Sequence, residues 1–188
     1  MVEMDLFGMS EDEMQEKRNL ATVEIDGSYL QYIGNQTPEI CKAAVKNDYM
    51  ALDYVEDQTN ELCLLAIQKN GFAIKYVKHQ TPELCLEAVK QNGLAIVEVK
   101  EQTEEICLEA VKQNGLAVAF VKHQTPELCL EAVKQNGSAL QYVKNQNMEI
   151  CLAAVKQNGL ALEFVKNVTP EIYSAAIQEN AAAAKIRR

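Results

Sequence analysis

The chain has 188 residues, is 48% hydrophobic with few aromatics and no Trp, and carries a formal net charge of −9. That length can bury a real core within one medium domain. No apolar run approaches the roughly 18 residues of a membrane-spanning helix, and the acidic balance offers no basic stripe for a phosphate backbone.

Residues 1–26 read as an acidic leader, with eight acids against two bases, while the remaining 162 residues hold 19 acids and 16 bases. Met1 to Met14 lacks the basic and apolar regions of a secretory signal. Ser10 and Glu13 have the spacing of a capping box, which predicts a leader helix through about Ala21 that caps the array. Met1 to Met9 reads as disordered. Six cysteines without a signal argue for a reducing compartment, the cytoplasm or a host cytosol into which the chain is delivered.

Residues 27–188 form a tandem array. Cys41, Cys63, Cys85, Cys107, Cys129 and Cys151 recur every 22 residues, the mark of a repeat architecture. Residues 78–93 and 122–137 are identical, and Pro38, Pro82, Pro126 and Pro170 add a second period of 44. The row at 81–102 shows the logic. Thr81 is an N-cap, Pro82 suits the first turn and Glu83 faces the positive helix end. Leu84, Cys85, Ala88 and Val89 share one face. Asn92-Gly93 predicts a left-handed stop. A second short helix then runs from Leu94 to about Lys100. Ala recurs at 44, 66, 88, 110, 132, 154 and 176, which predicts close helix approach. Tyr32, Tyr54, Tyr76, Phe120, Tyr142 and Phe164 form an aromatic column, broken by Glu98, that reads as core. Gln36, Gln58, Gln80, Gln102, Gln124 and Gln146 predict an amide ladder between rows. Helices of roughly 8–11 residues cannot stand alone, so the rows must stack. The expected fold is all-α, an α-solenoid of about seven 22-residue helix-turn-helix repeats. In the last row Tyr173 replaces cysteine and Ala181 replaces glycine, so the final helix is expected to run on as a cap.

The repeated columns carry little chemistry of their own. Equivalent atoms in stacked rows lie roughly 8–10 Å apart, too far for a disulfide or a shared zinc ion. The cysteines therefore read as packing residues; redox sensing and metal binding are the weaker alternatives. His79 and His123 read as surface turn residues. The unbroken glutamates at 39, 61, 83, 105, 127, 149 and 171 suit the helix starts. No nucleotide, hydrolase or metalloprotease motif occurs. No catalytic residue, metal or cofactor is expected, and the chain does not read as an enzyme.

A site should lie where columns vary. Gln31, Asp53, Lys75, Val97, Ala119, Gln141 and Glu163 form one such column, apolar at its centre. Lys75, Val97, Glu98 and Ala119 are thus the candidate partner-binding residues. The bland alternative is that Val97 and Glu98 have exchanged faces through a local twist.

The unit Thr-Pro-Glu-Leu-Cys-Leu-Glu-Ala-Val-Lys-Gln-Asn-Gly-Leu-Ala closely resembles the repeats of domain of unknown function 4116, over roughly residues 27–180. The resemblance implies tandem helical repeats with no established activity. Glu98, Tyr173 and the leader depart from that pattern. The expected function is a non-catalytic protein-binding scaffold or adaptor whose partner is another protein, with no membrane and no direct nucleic-acid contact. A second reading is an acidic inhibitor that mimics nucleic acid in a host–parasite conflict; a third is an engineered consensus array.

Overall fold

Each row of the array opens on a side chain that closes the first helical turn. In the computed structural model, which describes residues 9–186, Thr59 Oγ1 accepts from Leu62 N at 3.3 Å and Thr125 Oγ1 from Leu128 N at 3.2 Å. Asn147 serves the same role for Ile150 N at 2.8 Å. These caps satisfy backbone donors that would otherwise lack partners. They start ten-residue helices α2 (Pro38–Asn47), α3 (Asn60–Lys69), α4 (Pro82–Gln91), α5 (Glu104–Gln113), α6 (Pro126–Gln135), α7 (Met148–Gln157) and α8 (Pro170–Glu179). The leader helix α1 (Glu11–Ile25) starts on the expected capping box, with Ser10 N donating to Glu13 Oε2 at 2.8 Å. It runs one turn beyond Ala21 before Asp26 ends it. Residues 1–8, most of the segment expected to be disordered, lie outside the described residues.

The second element of each row is a 3-10 helix of six residues, or five in the last row, for example Gly93–Glu98 and Gly115–Phe120. This is shorter and more tightly wound than the helix expected from the sequence. The stop before it also works differently. Asn92 is extended, at φ −152° and ψ 110°, and its side chain accepts from Leu94 N at 3.0 Å. The asparagine thus ends one helix and caps the next, and no left-handed glycine is involved. The glycine answers to close packing instead. A Cβ on Gly115 would stand 2.4 Å from the Ala132 carbonyl oxygen of the following row. The asparagine stop also ends the last row, which does not run on. Helix α8 stops at Glu179, capped by Asn180, and a 3-10 helix follows at Ala181–Lys185. Asn180 is enough to stop the helix. Ala181 is exposed, with no following row among the described residues to exclude its methyl.

The packing divides at Glu87 and Ala88 into two compact units. In the first, α1, α2 and α3 pack in series, with the 3-10 helices Gly27–Tyr32, Tyr49–Tyr54 and Gly71–Tyr76 in a second layer. In the second, α5 to α8 do the same, with their 3-10 helices stacked beside them. The result is an all-α repeat solenoid with no strand among the described residues.

The core follows the predicted α-helical columns. Leu or Ile, Cys, Ala, and Val or Ile are buried in α2 through α7. Each large aliphatic side chain so buried contributes about 1.5–3 kcal/mol. The 3-10 rows are simpler still. At three residues per turn, Gly93, Ile96 and Val99 fall on one line, and all three are buried. Ala95 and residue 98 share the second line; Leu94 and Val97 share the third. The aromatic column occupies the position of residue 98, on the flank and not in the core. Tyr32 is 72% exposed and Phe120 43%. The expectation of an aromatic core is therefore corrected.

The amide ladder is present. Gln124 Nε2 donates to Val118 O of its own row and Tyr142 O of the next, both at 3.0 Å. Its Oε1 accepts from Lys144 N at 3.0 Å. Gln58, Gln102 and Gln146 repeat the pattern. Two further ladders run beside it. Gly93 N, Gly115 N and Gly137 N donate to Gln113, Gln135 and Gln157 one row on. Lys122 Nζ and Lys166 Nζ donate to the carbonyls of Lys100 and Lys144 one row back.

Candidate functional site

The four residues singled out in the sequence fall in both units. Lys75 lies in the first, exposed, with Nζ 5.8 Å from the Tyr76 ring centre. Val97, Glu98 and Ala119 lie in the second. Val97 is 47% exposed and Ala119 is exposed beside it on the outward line of the next 3-10 helix. Glu98 is half-buried on the flank line that Phe120 takes in the following row. The register of Gly93–Glu98 matches its neighbours, so Val97 and Glu98 have not exchanged faces. Exposed Phe120 and Tyr142 extend this apolar edge.

The cysteine row faces inward. Each Sγ lies 3.7–4.0 Å from the Oε1 of the ladder glutamine five residues earlier. Burial raises the thiol pKa of Cys63, Cys107, Cys129 and Cys151. At Cys41, burial is joined by the nearby charges of Glu56 and Asp57. A thiol held protonated is a poor nucleophile and a poor metal ligand. His79 and His123 are exposed, as is every member of the glutamate column.

A second region was missed in the sequence, although its signal is there. Between α2 and α3 five positions break their columns at once. Tyr49 stands where six rows have glycine; Lys69 stands where Gln91, Gln113, Gln135 and Gln157 stand. Glu56 replaces the ladder lysine, Lys42 replaces a leucine, and Leu65 replaces the glutamate of rows 87, 109 and 131. The consequences are geometric. A tyrosine cannot enter a space in which even a Cβ would lie 2.4 Å from a carbonyl oxygen, so the Ala66 carbonyl must stand off from residue 49. Lys69 has no acceptor for the residue 49 amide, and its Nζ donates to the Lys46 carbonyl. Glu56 cannot donate to a carbonyl one row back. Beside Lys42, Glu56 and Leu65 a cavity of about 520 Å³ lies between the N-terminal halves of α2 and α3. Cys41, Leu62 and Leu65 supply its apolar floor, and Glu39, Glu56, Asp57 and Glu61 line it. Lys42 crosses from α2 to reach Glu61 Oε1 at 2.9 Å.

Comparison with known families places these rows. The sequence model described as domain of unknown function (DUF4116) matches residues 37–80, 59–103, 81–124 and 125–167. The chain belongs to this family. Each DUF4116 match spans two structural rows. The matched region is narrower than the 27–180 expected and leaves out α1 and α8. Both the Val97 edge and the α2–α3 cavity lie inside DUF4116 repeats. No curated protein and no solved structure matches the chain.

Proposed function

We propose that this DUF4116 chain is a non-catalytic protein-binding scaffold. The supporting observation is the division of labour between columns. Packing columns are uniform and buried, whereas Val97 breaks a polar column and stays 47% exposed. An apolar side chain left outside a well-filled core, beside exposed Ala119 and Phe120, suits a protein contact. The same functional groups recur row after row, and among the described residues no three acids, histidines or cysteines are grouped to hold a metal. Catalysis needs different groups converging once, so an enzyme is the weaker reading. Among the described residues no helix is long and apolar enough to cross a membrane. The cysteines, buried and held as thiols, suit a reducing compartment such as the cytoplasm or a host cytosol.

The test is an affinity pull-down from the source cell with mass spectrometry, comparing the full chain with Val97→Lys/Ala119→Lys. Loss of the captured protein at unchanged melting temperature supports the scaffold. Capture undiminished by the double variant sinks the Val97 edge as the contact.

A further inference from the structure

We infer that the groove between α2 and α3 docks a basic peptide segment of a partner protein that carries one aliphatic side chain between lysines or arginines. The groove is separate from the Val97 edge and does not depend on it. A smaller groove recurs at the same columns between α7 and α8, and what sets this one apart is its lining, where Lys42, Glu56 and Leu65 break their columns. In other rows glycine lets the next helix close up, the paired glutamine ties the glycine amide, and the ladder lysine ties the row behind. Tyr49, Lys69 and Glu56 remove these three ties at one junction, which is still held by Gln36 through Tyr54 O at 2.9 Å and Glu56 N at 3.0 Å.

The lining indicates what fits. A space of about 520 Å³ is within the range of ligand pockets and holds a few side chains. Its floor is apolar because Leu65 stands where three other rows put glutamate, next to buried Leu62 and Cys41. An aliphatic side chain seated there removes apolar surface from water on both partners. The lining carries Glu39, Glu56, Asp57 and Glu61 against the single cation Lys42. An acidic rim over an apolar floor complements a cationic segment with one apolar anchor and repels an acidic one. Glu61 is already paired, but with a lysine on an open surface, its side chain 80% exposed. An exposed ion pair exchanges partners at little cost.

The variants that test this restore the protein's own repeat rule, so each introduced residue is one that neighbouring rows accommodate. The probe is a fluorescein-labelled peptide, Gly-Lys-Ile-Arg-Arg-Gly, whose core copies residues 185–188. It is titrated with the full chain at about 50 mM salt, where screening is weak. Saturable binding is expected, weakened about tenfold or more by Glu56→Lys/Leu65→Glu and likewise by Tyr49→Gly/Lys69→Gln. Replacing the peptide isoleucine with serine should weaken it comparably, and Val97→Lys/Ala119→Lys should leave it unchanged. The proposal is overturned by absence of saturation up to about 1 mM peptide. It is also overturned by equal binding to the Glu56→Lys/Leu65→Glu variant, or by equal binding of the serine peptide, which would mean unspecific charge attraction. Sedimentation of the full chain tests the remaining occupant. Self-association abolished by Arg187→Glu/Arg188→Glu and by Glu56→Lys/Leu65→Glu would assign the groove to a second copy and overturn a separate partner. A monomer that binds the probe supports it.

Discussion

At the residue scale, glycine and cysteine set the tolerances of the stack. An added methyl at Gly115 would meet the Ala132 carbonyl at 2.4 Å and Gln135 Oε1 at 2.7 Å. Gly115→Ala should therefore lose about 1–3 kcal/mol of stability, measured by urea unfolding. Gly34 has nothing within 4 Å of such a methyl, and Gly34→Ala should be neutral or stabilise by up to about 1 kcal/mol. Equal losses at the two sites would refute the packing account of the glycine column. The cysteines give a pH dependence with a definite sign. The folded-state pKa values of Cys41, Cys63, Cys107, Cys129 and Cys151 are raised by burial, so above about pH 8.5 the unfolded chain releases protons that the folded chain retains. Stability from this source is whole below that pH and falls as pH rises towards the folded-state values. The melting temperature should drop as pH rises above about 8.5. Replacing Cys63 and Cys129 with alanine should reduce that drop; an unchanged drop would mean other groups cause it.

At the element scale, row-to-row cohesion rests on side-chain amides as much as on burial. Gln124 donates to two backbone carbonyls and accepts from one backbone amide. Gln124→Ala leaves the part-buried Val118 carbonyl without its partner, exposes the Tyr142 carbonyl and Lys144 amide to water, and should cost about 1–3 kcal/mol, read from thermal or urea unfolding. A loss below about 0.5 kcal/mol would show that water substitutes freely for the ladder. The ladder was legible in the sequence because a long amide recurred directly before each cap. The 3-10 geometry was not. Six residues such as Gly93–Glu98 give too short a window to separate a period of 3.0 from 3.6. Only the observed burial of Gly93, Ile96 and Val99 on one line decides it, and the same line moves the aromatics out of the core. Asn180 shows a related limit. Asn and Gly occur together in five rows, which by themselves do not say which of them stops the helix. Asp48-Tyr49 and Asn180-Ala181 separate them, because both helices stop without a glycine.

At the scale of the whole molecule, contacts run between neighbouring rows within each unit, so stability is close to a sum of local terms. The strain from Gly115→Ala should raise hydrogen exchange most in α5 and α6 and fade towards α8. Uniform acceleration across α5 to α8 would instead mean that this unit opens as one block. Function follows the same logic. Uniform columns hold the rows together, and positions that depart from them are available for recognition. Val97 stood out in the sequence as an apolar residue in a polar column. The α2–α3 groove did not, because Lys42, Glu56 and Leu65 are scattered along the sequence and converge only when the helices are packed side by side.

The sequence by itself determined the period, the helix starts, the buried α-helical columns and the amide ladder, since each of these repeats row after row and local chemistry suffices to read it. Tertiary structure decided the winding of the second helix, the role of glycine and the site of the groove. Those depend on the distance between one row and the next, which no single row encodes.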